Sequence, residues 1–134
     1  MKNTKGFTLM ELTIVLALLA IIAAVLIPLF LTTTDRARLR SDIQSARVIQ
    51  NAMDLYRVER GSNVEGGTVA ATIMQNLANA GYLDLRNPSP QTERAVWRIV
   101  DGSATVDITD SPDGVHSAYG NLTEVEQSWV TGGR

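Results

Sequence analysis

Residues 7–31 form an apolar run in which Glu11 is the only charged side chain. As an α-helix rising 1.5 Å per residue, a run of this length reaches about 37 Å, enough to cross a bilayer with some tilt. The chain must therefore bury that surface in protein or give it to lipid. With 134 residues in all, what remains beyond the run is enough for one small domain. A conventional export signal fits poorly, because its apolar core is shorter and ends at a small-x-small cleavage site. Here the run leads into Thr32-Thr33-Thr34-Asp35-Arg36. The run reads as a membrane-spanning helix.

Flanking charge does not fix its orientation, since Lys2 and Lys5 on one side oppose Arg36, Arg38 and Arg40 on the other. Glu11 is more informative. An ionised carboxylate among lipid tails costs up to about 3 kcal/mol, so it calls for a partner or for a position at headgroup level. Physical chemistry alone leaves both open. Pro28, late in the run, cannot donate to the carbonyl of Ala24 and is expected to bend or loosen the helix.

After Thr34 the pattern becomes amphipathic. Leu39, Ile43, Ala46, Ile49, Met53 and Tyr56 fall on one helical face, and Gly61 is a natural stop after Arg60. Arg36, Arg38, Arg40, Asp42, Arg47, Asp54, Arg57 and Arg60 are assigned to the opposite, solvated surface, with Arg38 and Asp42 at i, i+4 spacing. One helix from about Phe7 to about Arg60 is expected, buried all round in its first half and on one face in its second.

Beyond Gly61 a polar loop precedes a short amphipathic helix between Thr68 and Ala80, carrying Val69, Ile73 and Leu77. Asn87-Pro88-Ser89-Pro90 reads as a rigid turn. Ala95 to Val100 and Thr105 to Thr109 are β-prone runs on either side of Asp101-Gly102-Ser103, a hairpin signal that puts Trp97, Ile99, Val106 and Ile108 on one inner face. Val115 to Tyr119 is expected to add an edge strand. Thr123 and Glu126 have the spacing of a capping box for a last helical turn.

Composition excludes much. With no cysteine and a single histidine, His116, there is no disulfide, no thiol nucleophile and no zinc site built on several imidazoles. No nucleophile-elbow, dinucleotide-binding, phosphate-loop or zinc-protease motif occurs, so the chain is not read as an enzyme. The balance of 12 basic and 14 acidic residues gives no support for nucleic-acid binding, and the stretch between Ile99 and Gly133 carries acids but no lysine or arginine. A solvated acidic surface is the plain reading of that stretch. The alternative is a calcium site using Asp110, Asp113 and backbone carbonyls; no other cofactor is expected.

The stretch Lys5-Gly6-Phe7-Thr8-Leu9-Met10-Glu11-Leu12, followed by Thr13-Ile14-Val15-Leu16-Ala17-Leu18-Leu19-Ala20, closely resembles the class III leader of type IV pilins and pseudopilins. The resemblance implies cleavage after Gly6 by a prepilin peptidase on the cytoplasmic side and N-methylation of the new terminus, Phe7. It also supplies a partner for Glu11, the terminal amine of a neighbouring subunit, and makes Pro28 the point near which the helix loosens on assembly. Such a buried ion pair acts as a registry device, because any other register leaves a charge unpaired.

The implied fold is the α+β type IV pilin fold, a long N-terminal helix packed on a small head with a short antiparallel sheet. Its parts are a leader at 1–6, a transmembrane and filament-core helix at 7–31, a stem helix at 32–60 and a head at 61–134. The implied partners are identical subunits in a helical filament, the peptidase, and an inner-membrane assembly platform with its ATPase. The implied location is a single-pass cytoplasmic (inner) membrane protein with its head outside the cytoplasm, then a pilus or pseudopilus at the cell surface or in the periplasm. The lack of a calcium-loop pattern favours a major pilin over the major pseudopilin of a type II secretion system. A membrane-tethered binding domain that never polymerises is the reading from a different class.

Overall fold

A computed structural model describes residues 6–84 and 89–133. Leader residues 1–5, Asn87 and Pro88 of the expected turn, and the terminal Arg134 lie outside the described residues. The chain divides into two compact units, Met1–Leu31 and Thr32–Arg134.

Helix α1 runs from Leu9 to Arg60 with Pro28 inside it, as the change from an apolar run to an amphipathic stripe predicts. Within the first unit its large apolar side chains are all exposed. The helix is long and apolar enough to cross a membrane.

In the second unit the stem part of α1 is the wall on which everything else is built. Leu39, Ile43 and Ala46 meet Ala95, Val106, Ile108, Val115, Leu122 and Val130 in one buried cluster. Ile49, Ala52 and Met53 meet Ile73, Met74, Leu77, Ile99 and Ala104 in a second, and Trp97 packs against both. Helix α2 (Ala70–Asn79) turns Ile73, Met74 and Leu77 inward. Val69, expected on that face, sits outside the helix as its N-cap and is exposed.

Strands β1 (Val96–Val100) and β2 (Ser103–Asp107) pair antiparallel with Trp97 opposite Val106 and Val100 opposite Ser103. The connecting residues, Asp101 at φ 52° and Gly102 at φ 76°, have the two positive φ values of a type I′ turn, whose twist matches the strands. The fold class is therefore α+β, with one difference in the sheet. A third strand, β3 (Val130–Thr131), lies beside β2 in parallel, so the sheet is mixed. Two helices, α3 (Asp113–Gly120) and α4 (Glu124–Gln127), intervene, and a crossover of that length returns the chain in the same direction.

Helix α3 replaces the edge strand expected at Val115 to Tyr119. Pro112 occupies the N-cap in an extended conformation. Val115, Ala118 and Leu122 then become buried, a 3–4 spacing that only appears over a window longer than the strand it was mistaken for. The capping box of α4 forms as expected: Thr123 Oγ1 accepts from the Glu126 amide while the Glu126 carboxylate accepts from the Thr123 amide.

Asp42 is the main departure from the sequence reading. It is 1 % exposed, inside the head. Its carboxylate accepts the amide of Gln91 at 2.8 Å and that of Thr92 at 2.7 Å, which ties the loop before β1 to the stem. Arg38 instead approaches Asp35 at 3.8 Å. Two further stem residues grip the head. Gln50 donates to the Gly102 carbonyl and accepts from the Ala104 amide, each at 2.9 Å, holding the hairpin turn. The Asp35 carboxylate lies against Gly114 in the first turn of α3, where negative charge complements the helix dipole.

The C-terminal segment is held by arginines that the sequence placed on a solvated face. Arg40 pairs with Glu126 at 2.8 Å, and the Arg47 guanidinium lies over the Trp129 ring at 5.5 Å. Gly132, at φ 76°, passes against Thr109, and Gly133 passes against the Tyr119 ring so closely that a Cβ would not fit at either position.

Removing the Asp42 carboxylate leaves two inward-facing amides without an acceptor. Asp42→Ala is expected to lower the stability of the head by about 3 kcal/mol, read as a shift in the denaturant midpoint of the full chain in detergent micelles; a shift below a quarter of that size would contradict the role. Acid should act on the C-terminal segment. Glu126 is held down to about 2 from an ordinary 4.5, first by the Thr123 amide and then by Arg40. At Asp107, burial acts to raise the pKa but is outweighed by the Thr109 hydroxyl and amide and by Arg98, so that it too is lowered. Groups depressed on folding stabilise above their unfolded values and lose that contribution as pH falls through the folded ones. Protection of residues 123–133 in hydrogen exchange should therefore decline between pH 4.5 and about 2, and Glu126→Gln should flatten that decline.

Candidate assembly site

The residues to which the leader resemblance assigns cleavage, methylation and pairing, Gly6, Phe7 and Glu11, lie at the start of the first unit. Gly6, Phe7 and Thr8 precede α1 in an irregular segment. Phe7 is 77 % exposed. Glu11 falls in the first turn, and its Oε2 accepts both the Thr8 amide and the Thr8 hydroxyl at 3.0 Å. In return Thr8 Oγ1 accepts the Glu11 amide at 3.2 Å. This is a reciprocal capping box, with Thr8 at the N-cap and Glu11 at N3. It satisfies amides that a helix leaves bare at its N-terminus, which is a severe requirement where no water is at hand.

The sequence reading asked what partner Glu11 has and did not name Thr8. The signal was present as Thr8-Leu9-Met10-Glu11, the [ST]-x-x-E spacing immediately before an apolar run. One turn later Thr13 Oγ1 donates to the Met10 carbonyl at 2.9 Å, so this hydroxyl is also satisfied within its own helix. The carboxylate and the residue that would carry a new amine are thus placed at one end of one helix, with Thr8 between them in sequence. Pro28 lies in the helix interior, far along the chain from this cluster.

The two calcium candidates are in the other unit. Asp110 is exposed in the turn after β2, and Asp113 is exposed as the first residue of α3. Among the described residues no group of three or more His, Cys, Asp or Glu is gathered in a way that would hold a metal ion.

Residues 1–27 match the family described as the prokaryotic N-terminal methylation motif. Over 65 residues, 46% of this chain, the sequence is 42% identical to the type IV wide pilus major component PilA4 of Thermus thermophilus, covering 47% of that protein. Over 59 residues, 43% of this chain, it is 41% identical to prepilin peptidase-dependent protein A of Clostridium perfringens, covering 42% of that protein. The alignments span less than half the length of these curated relatives. No solved structure gives a significant match. The chain carries a prokaryotic N-terminal methylation motif at the start of a long apolar helix and is similar, over less than half of its length, to a type IV pilus component and to a prepilin peptidase-dependent protein.

Thr8→Ala removes the hydroxyl from both directions of the capping box. Loss of an N-cap costs about 1 kcal/mol. Amides of the first turn should then exchange about five-fold faster in detergent micelles, while Thr8→Ser should restore protection. Unchanged exchange in Thr8→Ala would show that the box does not hold the helix end.

Proposed function

We propose that this chain is a structural subunit of a type IV pilus-like filament, and that it is a major pilin. The observation that carries this reading is the leader motif joined to an exposed apolar helix with Glu11 fixed in its first turn. The chain enters the cytoplasmic membrane once, with residues after Leu31 outside the cytoplasm. A prepilin peptidase cuts after Gly6 and the amine of Phe7 is methylated.

Cleavage turns a neutral backbone position into a cation. That cation arises next to Thr8, the residue that already positions the Glu11 carboxylate. In a bilayer neither charge is comfortable alone, and leaving one of a buried pair unpaired costs about 3–5 kcal/mol. A neighbouring subunit that brings its amine to Glu11 removes the penalty and sets the axial register. Apolar side chains of residues 9–31 exchange lipid for protein contacts, and a head-to-tail arrangement that does not close continues as a filament. The subunit performs no chemistry of its own; the peptidase, a membrane platform and an assembly ATPase supply the processing and the work.

Intact-mass analysis of the exported chain tests this reading. The mature protein should begin at methylated Phe7 and be the main constituent of surface fibres. Material that retains Met1 to Gly6 would overturn it. Processing without surface fibres, accompanied by loss of protein secretion when the gene is deleted, would move the chain to the secretion pseudopilins.

A further inference from the structure

A cavity of about 440 Å³ opens in the head where the end of the stem, the loop before α2 and the β1–β2 turn converge, large enough for a small polar molecule. Its buried lining is aliphatic: Met53 from the stem, Ile73 from α2 and Ile99 from β1, joined by the half-buried Val64. Around them stand Asp54, Arg57, Asn63, Thr68 and Asp101, all exposed. The walls are fixed by hydrogen bonds within the chain. Gln50 Nε2 donates to Asp54 Oδ1 at 3.2 Å and to the Gly102 carbonyl at 2.9 Å, which joins the stem wall to the turn. Asn76 donates to the Glu65 carbonyl at 2.7 Å and holds the loop against α2.

The polar groups of this cavity do not satisfy one another. Among the described residues the side chains of Arg57, Asn63, Thr68 and Asp101 have no hydrogen-bond or ion-pair partner, and Asp54 has only the Gln50 amide. Two carboxylates and one guanidinium therefore border one aliphatic surface unpaired. Most ligand classes leave some of these groups unmatched. A sugar finds no aromatic ring in the lining to stack on. A phosphate meets two like charges, and a metal ion or a polyamine leaves the guanidinium without an anion. A molecule with two cations, one anion and a methylene segment between them matches every group. Its carboxylate suits the planar fork of Arg57, its methylenes cover the aliphatic lining as a lysine stem covers a protein surface, and Asn63 and Thr68 each donate or accept as needed.

We infer that this cavity binds a free basic α-amino acid of the lysine type, with its α-carboxylate on Arg57, one ammonium group on each of Asp54 and Asp101, and its methylene stem over Met53, Ile73 and Ile99. The inference does not rest on the filament reading, because every group that it uses belongs to the head of a single chain.

The full-length isotope-labelled chain in detergent micelles is titrated with L-lysine and with three molecules that each lack one of its groups: cadaverine without the carboxylate, ε-aminocaproate without the α-ammonium, and norleucine without the terminal ammonium. Lysine should move the amide signals of Asp54, Thr68 and Gly102 saturably, and each of the other three should bind at least about tenfold more weakly. Arg57→Gln should weaken lysine about tenfold and leave cadaverine unchanged. Asp101→Asn, which keeps the turn because Asn suits the same positive φ, should weaken both. The absence of a saturable shift with lysine at tens of millimolar, or binding of norleucine as tight as that of lysine, would overturn the proposal. An Arg57→Gln loss of equal size for lysine and cadaverine would do the same, since the guanidinium would then not be reading the carboxylate.

Discussion

The Asp42 carboxylate lies inside the head and accepts two backbone amides from a loop 49 and 50 residues further along the chain. A charge so enclosed is tolerable only while both amides are in place, so it fixes where that loop can sit. From this point the rest of the head follows. The loop delivers β1 to the stem, the hairpin turn is caught by Gln50, and β2 then receives β3 at its far side. Side chains of Leu39 to Met53 fill the space between. In a chain without disulfides, the head is held through one helix whose side chains act as a row of anchors.

How much of this could be read in advance depended on the range of the interactions. The limits of α1, the Asp101-Gly102 turn and the Thr123–Glu126 box were legible because each is decided by residues within a few positions of one another. Asp42 was not. Among Arg38, Arg40 and Arg47 it reads as one more solvated charge, and only the distant amides of Gln91 and Thr92 make burial favourable. Helix α3 was misread as a strand because Val115 and Tyr119 were judged apart from Leu122, and β3 is too short to carry a pattern of its own. At the candidate assembly site the leader and Glu11 were plain in the sequence. Thr8 carries its signal in the Thr8-x-x-Glu11 spacing of a helix cap, a role of Glu11 separate from any pairing with a neighbour.

Thr8 and Glu11 satisfy each other's amides at the helix start from within the chain. Among the described residues the carboxylate accepts only from Thr8, through Oε2, which leaves its other oxygen for a further donor. The stem is two-sided: Leu39, Ile43, Ala46 and Met53 are buried in the head, while Val48, Leu55 and Val58 are exposed.

The central claim is that the helix of this chain forms the inside of a filament of identical copies. Electron cryomicroscopy of fibres from cells producing the chain tests it most directly. The account predicts fibres built of this chain, with residues 7–58 bundled along the axis and residues 61–134 outside the bundle. Fibres in which the apolar helix faces solvent, or fibres that do not contain this chain, would contradict it.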